Sequence, residues 1–293
     1  MNTSRERTSS LFVICVLIGC ASPRTSPPGS PVPVPVVPPP PVIASPSANS
    51  WAFSYAPGAM HYQVSRSAAI ESQSDTSRNR EVSSNLTYER VTLTPAADSG
   101  IILTAVIDTF STTTQGLIGP VQTAQLPVEV LGIFTGDSLS FGIDSAANTG
   151  KCNPIRSALV SDLHNLLTRF PAKLTTGLAW RDSVNSGGCQ AAIPTTSRTT
   201  RSFVVSGEAI YEGRPVLLVQ RSDTIQAHGE GAQQQHALKL DAVGNGSAVY
   251  YLDTKDGRLV RLTSGQELVL TITTSSKPHQ FRQSSRQDFR LLP

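Results

Sequence analysis

The chain of 293 residues lacks the short motifs that mark common catalytic sites. It has no Gly-x-Ser-x-Gly elbow, no glycine-rich phosphate loop and no His-Glu-x-x-His metal pair. It also lacks an excess of charge of either sign, because the formal net charge is only +3 and charged residues make up 15% of the chain. The sequence therefore gives no indication of nucleic-acid binding and no motif that favours an enzyme.

The apolar run near the amino terminus is short. Residues 11–19 are apolar and uncharged, whereas a membrane-spanning helix needs roughly 20 such residues. Arg5 and Arg7 precede the run and form a positive region. This order is typical of a secretory signal, so we predict a signal peptide over residues 1–19.

The signal ends in Leu17-Ile18-Gly19-Cys20, and these residues resemble the lipobox of bacterial lipoproteins. The resemblance covers about residues 1–22. It implies cleavage between Gly19 and Cys20, a diacylglycerol on the Cys20 thiol and a further acyl group, such as palmitate, on the new amino terminus. The alternative is an ordinary soluble signal peptide in which Cys20 stands by chance.

A lipid anchor at Cys20 would set the location of the protein. Buried acyl methylenes contribute about 0.8 kcal/mol each, so several chains would hold the protein at a membrane without a membrane-spanning helix. Ala21 follows the cysteine where the retention signal of enterobacteria has Asp. We therefore expect the cell envelope and favour the outer membrane, with the protein facing the periplasm or the surface.

A proline-rich segment follows the cysteine. Residues 23–46 contain 11 of the 21 prolines, and proline fixes φ and lacks a backbone donor, so neither a helix nor a sheet forms there. We predict a disordered linker over residues 20–49, with a reach of roughly 3.1 Å per residue in polyproline conformation. A stalk of defined length and a linker with no length requirement both remain open.

The remaining residues, 50–293, predict a single β-rich globular domain. Short runs rich in β-branched and aromatic residues alternate with glycine, proline, asparagine and aspartate, which is typical of strands and turns. Turns are expected at Glu212-Gly213, Asp256-Gly257 and Ser264-Gly265. The predicted strands lie at 60–73, 81–94, 100–112, 126–134, 138–144, 175–183, 200–211, 214–227, 234–242, 247–254, 258–263, 267–274 and 279–291.

One segment has the period of a helix instead. Apolar residues recur at three- and four-residue steps after Pro154, and Pro171 closes the segment. We predict an amphipathic helix of about four turns that covers one face of the sheet or plugs a barrel mouth. The fold class is therefore mainly β (α+β), with a curved antiparallel sheet or half-barrel and one covering helix.

Two cysteines remain after Cys15 and Cys20 are assigned to the signal and the lipobox. Cys152 precedes the predicted helix, and Cys189 lies in a predicted loop over residues 183–192. An exported protein meets oxidising conditions, so we predict a Cys152–Cys189 disulfide. A reactive or metal-binding thiol pair is the alternative, although neither cysteine belongs to a Cys-x-x-Cys motif.

A curved sheet over one helix in a lipid-anchored protein resembles the half-barrel carriers LolA and LolB. The segment "FPAKLTTGLAWRDSV" and the two hairpins after it also resemble a group of uncharacterised bacterial lipoproteins with a Pro-x-x-x-x-x-Gly-x-x-Trp element, over about residues 170–274. The resemblance brings no catalytic motif. It implies a half-barrel that binds a lipid or another apolar ligand in its concave face.

Candidate catalytic residues are few. Asp223, His228, Glu230 and His236 lie within fourteen residues, but Gly229 and Gly231 favour a hairpin tip there over a metal site. His164 is expected on the solvent face of the helix, with general-base chemistry as the alternative. A basic cluster near the carboxyl terminus predicts a solvated strand face rather than a binding patch: Lys277, Arg282, Arg286 and Arg290.

These observations favour a non-enzymatic, lipid-anchored envelope protein without a cofactor, a metal or a nucleic-acid partner. Its partners are the membrane, through the anchor, and an apolar ligand such as a lipid or a lipoprotein acyl chain. The alternative from another class is a structural or adhesive module on a proline stalk that binds a protein or a glycan. An enzyme is the third possibility.

Overall fold

Apolar and polar side chains alternate in many segments of the chain, and these segments form strands. The structure, a computed structural model, describes residues 50–73, 78–96, 100–115, 126–135, 138–141, 153–190, 193–233, 236–274 and 277–293. The predicted signal peptide and linker lie outside these residues, so the predicted domain boundaries stay predictions.

Thirteen strands and one helix lie within the described ranges. The elements are β1 Ser50–Ala52, β2 Gly58–Gln73, β3 Arg78–Pro95, β4 Ile101–Gln115, β5 Val128–Thr135, β6 Ser138–Phe141, α1 Pro154–Leu166, β7 Lys173–Thr175, β8 Ala179–Gln190, β9 Ile193–Tyr211, β10 Arg214–Gln233, β11 His236–Asp253, β12 Leu259–Thr274 and β13 Lys277–Leu291.

The main sheet consists of two antiparallel meanders. Strands β2 to β6 form one meander and β8 to β13 form the other. They join because β13 pairs with β2, where Phe289 lies opposite Val64. The result is an 11-stranded sheet with β6 and β8 at its edges, curled into a half-barrel. The predicted fold class is confirmed, whereas the small β1–β7 sheet was not predicted.

The helix α1 begins where the sequence predicts it. Asn153 caps it, since its Oδ1 accepts hydrogen bonds from the backbone N–H groups of Ile155 (3.1 Å) and Arg156 (3.0 Å), and Pro154 opens the first turn. The helix ends at Leu166, earlier than expected from Pro171. It contacts β5 near one end of the sheet and β8 at the other edge, so the sheet curls beneath it. The predicted covering helix is confirmed.

The main core lies between α1 and the concave face of the sheet. Leu159 and Leu163 on the helix are fully buried, as are Tyr62, Tyr250 and Phe289 on the strands. Burial of each such apolar side chain contributes about 1.5–3 kcal/mol. The apolar residues that recur at three- and four-residue steps in the sequence therefore form the face of α1 that packs on the sheet.

The Pro-x-x-x-x-x-Gly-x-x-Trp element forms a corner between α1 and β8. Gly177 has a φ of +82°, a conformation that favours glycine. Trp180 then stacks on Phe203 at 4.9 Å between ring centroids, and its Nε1 donates a 3.1 Å hydrogen bond to the carbonyl of Arg169. The element is thus explained by chain geometry and packing.

Several glycines that were read as turns lie inside strands. Gly229 and Gly231 belong to β10, and Gly265 belongs to β12, so the predicted turns at these positions are wrong. A Cβ on Gly229 would lie 2.6 Å from the carbonyl oxygen of Pro194. Glycine is present there because the backbone of β9 approaches closely, not because the chain reverses. The turns at Glu212-Gly213 and Asp256-Gly257 are confirmed.

The predicted loop is also wrong over residues 183–190. Residues up to Gln190 continue the edge strand β8, which pairs with β9 so that Ser186 lies opposite Ser197. Serine, asparagine and glycine are poor strand formers, but pairing with a long neighbouring strand overrides that preference.

Candidate functional site

The register of the sheet brings charged side chains together on the concave face. Arg201 lies opposite Asp182 on one side and opposite Asp223 on the other, and Gln287 lies opposite Arg66. These positions form two adjacent rows across the strands. We call this set the polar belt; it comprises Arg66, Asp182, Arg201, Arg221, Asp223 and Gln287.

Arg201 is held in place by three contacts. Its Nε and Nη2 donate to the two carboxylate oxygens of Asp182 at 2.7 and 2.6 Å, and its Nη1 donates to the carbonyl of His164 at 2.9 Å. The bidentate pair fixes the guanidinium plane. The third bond ties β9 to the last turn of α1.

Arg221 and Asp223 form a second pair on β10. The Nε and Nη2 of Arg221 donate to the Oδ2 of Asp223 at 3.1 and 2.9 Å. Arg221 also donates to the Oδ1 of Asn165 on the helix at 3.0 Å and to the hydroxyl of Tyr250. Both side chains of the pair are only 5% exposed, so this is a buried charge pair. Additional hydrogen bonds to neighbouring side chains help to offset the cost of burying the two charges.

A third group lies where β2 and β3 meet the helix. Arg66 donates to Glu89 at 2.7 Å and also to Asp162 of α1, and Gln287 donates to the other oxygen of Asp162. Burial raises the pKa of Glu89 above its ordinary value, and the charge of Arg66 opposes that shift. The buried Asp162 thus anchors the polar side of α1 to the sheet.

A second apolar cluster lies beyond the polar belt, away from the main core. It comprises Ile193, Ile225, Leu240, Ala242, Leu268 and Leu270. A cavity of about 270 Å³ lies between this cluster, the belt and one face of α1. Its walls therefore differ, with serine, threonine and charged side chains on one side and aliphatic side chains on the other.

His164 lies at the wall of this cavity, not on the solvent face. Burial, together with the nearby charge of Arg201, lowers the pKa of His164 from 6.5 to about 4. The ring of Phe141 packs edge-on against the imidazole at 5.3 Å. The predicted exposure of His164 is therefore wrong, because the helix turns this side chain into the half-barrel.

The other candidate residues do not come together. Asp223 faces the concave side, whereas His228 and Glu230 are exposed on the opposite face of β10. His228 contacts Asp241 at 2.9 Å through its Nδ1, and the side chain of His236 lies outside the described part. Among the residues that the structure describes, no cluster of His, Cys, Asp and Glu is suited to a metal ion.

Three predictions involve residues beyond the described ranges. Gly19 and Cys20 lie there, so cleavage and lipidation stay predictions. Cys152 lies there too, and the disulfide stays a prediction; the backbone N–H of Cys189 donates to the Oγ of Ser157, in α1, at 3.0 Å. The basic carboxyl-terminal residues are exposed, as predicted for a solvated strand face: Lys277, Arg282, Arg286 and Arg290.

Sequence reasoning did not identify the polar belt. A signal was present, because Thr195, Ser197, Thr199 and Arg201 alternate along β9 and so share one face of that strand. Their partners lie on the neighbouring strands β8 and β10, and the belt is completed by Arg66 and Gln287 from strands that are distant in the sequence. Only the order and register of the strands show that these side chains meet.

Within the described ranges, no helix has the length and apolarity needed to cross a membrane. No protein-family model and no curated protein sequence matches the chain. Among solved structures, the chain is similar to a Bacteroides fragilis protein described as exported and as having a YmcC-like fold. The identity is 11%, the TM-score is 0.25, and the match covers 83% of this chain and 97% of that one.

The chain is also similar to a Vibrio parahaemolyticus domain described as an outer-membrane lipoprotein-sorting protein domain. The identity is 9%, the TM-score is 0.20, and the match covers 78% of this chain and 85% of that one. Similarity at this level does not decide the function. The basis for a functional proposal is the concave face itself.

Proposed function

We propose that the chain is a lipid-anchored protein of the bacterial cell envelope that binds an apolar ligand in its concave face and has no enzymatic activity. The ligand is a lipid or the acyl chain of a lipoprotein. The lipobox-like sequence that ends in Cys20 supports the anchor, and the cavity on the concave face supports the binding role.

The apolar wall of the cavity is the observation that carries this proposal. Leu240, Ala242 and Leu270 are each at most 3% exposed and belong to the second apolar cluster, which lines a cavity of about 270 Å³. Small-molecule sites are concave and mostly apolar, with a few polar groups that fix orientation. The cavity combines one aliphatic wall of this kind with a wall of polar and charged side chains.

Native mass spectrometry of the full chain after gentle extraction tests the binding role directly. We expect a bound lipid or other apolar molecule in addition to the covalent anchor. A purified protein whose concave face carries no such molecule, and which binds none when apolar compounds are added, would contradict the proposal.

A pair of neighbouring substitutions sharpens this test. Ala242 faces the cavity and is 3% exposed, whereas Val243, the next residue on β11, is 56% exposed on the outer face. Ala242→Leu adds apolar volume to the cavity and is expected to reduce the amount of bound ligand several-fold. Val243→Leu is the matched control and is expected to leave it unchanged. If both variants bound the same amount of ligand, the ligand would not lie in this cavity.

A structural or adhesive module on a proline stalk is the second candidate. Its support is an apolar patch on the outer face of β4 and β5, where Ile102 (44% exposed) lies opposite Ile133 (47% exposed), close to Leu131 (56% exposed). Exposed apolar patches occur at protein interfaces. This candidate predicts that deletion of residues 23–46 abolishes function while the ligand content stays nil.

A further inference from the structure

Asp223 has one carboxylate oxygen that no protein group satisfies. Its Oδ2 accepts two hydrogen bonds from Arg221, but its Oδ1 is buried and has no hydrogen-bond partner among the described residues. The residue is 8% exposed. Leaving a buried acceptor without a donor is unfavourable, and more so for a charged group. Such an oxygen calls for an explanation.

Asp223 lines the cavity, at the boundary between its polar and apolar walls. The next inward-facing residue on β10 is Ile225, which belongs to the second apolar cluster. The strand neighbour opposite Asp223 is Gly246, which has no side chain to cover the carboxylate. Asp223 is therefore a charged acceptor beside an aliphatic surface.

The two arginines next to Asp223 on the sheet are already engaged. Arg201 is paired with Asp182, and Arg221 with Asp223, Asn165 and Tyr250. A negatively charged head group would thus have to displace an existing pair and would meet Asp223. A head group that donates a hydrogen bond would instead give the Oδ1 of Asp223 the partner that it lacks.

From these contacts we infer that the concave face binds a single-chain amphiphile whose polar head donates a hydrogen bond to the Oδ1 of Asp223. The head is a hydroxyl or an ammonium group, and the chain packs on the second apolar cluster. A cavity of about 270 Å³ lies just below the usual range of about 300–1,000 Å³ for small-molecule sites, which favours one chain over two. This inference rests on the proposed function and specifies its ligand class.

Four short amphiphiles with the same alkyl chain test the inference. Octanol and octylammonium donate hydrogen bonds, whereas octyl methyl ether and octyltrimethylammonium do not. Binding is measured by calorimetry on the full chain with Cys20→Ala, so that neither a lipid anchor nor a detergent competes. Because a hydrogen bond to a charged group is strong, we expect each donor head to bind roughly 10-fold to 100-fold more tightly than its donor-free counterpart. Comparing octanol with octyl methyl ether tests a hydroxyl head, and comparing octylammonium with octyltrimethylammonium tests an ammonium head.

Asp223→Asn is the informative variant. The amide keeps the shape of the side chain, and its oxygen faces Arg221, so a nitrogen donor takes the place of Oδ1. We expect the preference for donor heads to disappear. Asp288→Asn is the matched control, since Asp288 pairs with Arg261 on the outer face at 2.9 Å and lies away from the cavity; this variant should keep the preference.

The outcomes separate this inference from the proposed function. Equal affinity of the wild-type chain for donor and donor-free heads would overturn the inference and leave an apolar-ligand function in place. Binding of none of the four amphiphiles would count against the proposed function itself. A preference that survives Asp223→Asn would overturn the role of Asp223. If that variant fails to fold by near-ultraviolet circular dichroism, the wild-type comparison decides alone.

Discussion

Single residues of the polar belt determine how charge is accommodated inside the half-barrel. Arg66, Arg201 and Arg221 each contact a carboxylate at 2.9 Å or less. Pairing is required because an isolated buried charge is strongly unfavourable. Removing one partner of such a pair is expected to destabilise the protein by about 3–5 kcal/mol. The belt therefore restricts which side chains can change without loss of the fold.

His164 provides a prediction at this scale. Its pKa of about 4 in the folded protein lies below the ordinary value of 6.5. Between these values the unfolded chain binds a proton that the folded chain does not, so stability falls as the pH falls through this window. From about pH 7.5 to about pH 5 the loss attributable to His164 is about 2 kcal/mol. Urea unfolding of the wild type and of His164→Gln at both pH values measures it.

The comparison between variants isolates His164. Glu89 also titrates, and its raised pKa acts in the opposite direction, but this contribution is present in both proteins. His61→Gln is the control, because it makes the same substitution at an exposed position on β2. An identical pH dependence for the wild type and His164→Gln would contradict the assigned pKa.

At the scale of elements, the predicted disulfide would tie α1 to the edge strand β8. The hydrogen bond from Cys189 to Ser157 places β8 beside the first turns of the helix, a few residues after Cys152. On the chain-entropy model, closing this loop stabilises the protein by roughly 4 kcal/mol.

Cys189→Ser is therefore expected to lower the free energy of unfolding by about 2–5 kcal/mol. A reducing agent should have a similar effect on the wild type and none on the variant. Urea unfolding with and without the agent measures both effects. Insensitivity of the wild type to reduction would contradict the predicted bond.

Local periodicity predicted most elements, whereas the turns placed at glycines inside strands were wrong. The strands and α1 follow from side-chain alternation at period two and at three to four residues, which the chain itself carries. Gly229 and Gly265 were assigned to turns because glycine favours reversals. At Gly229, glycine instead permits close approach of the neighbouring strand β9, and that approach depends on strand pairing.

At the scale of the whole molecule, the candidate site depends on the order of the strands. The pairing of β13 with β2 joins the two meanders and brings Gln287 beside Arg66, although these residues lie far apart in the sequence. A covering helix and an apolar concave face could be inferred from patterning alone. The polar belt and its cavity could not, because they exist only once the sheet has closed in this order.

The predicted lipid anchor is the last prediction and concerns the whole chain. Cys20→Ala should abolish labelling by radioactive palmitate. Stable anchoring takes more than one acyl chain, and Cys20 would be the attachment site for the chains. Cys15→Ala is the matched control, since Cys15 lies within the apolar core of the predicted signal and should leave labelling unchanged. If Cys20→Ala were labelled as strongly as the wild type, the predicted anchor would be contradicted. Residues 1–19 would then be interpreted as an ordinary signal peptide.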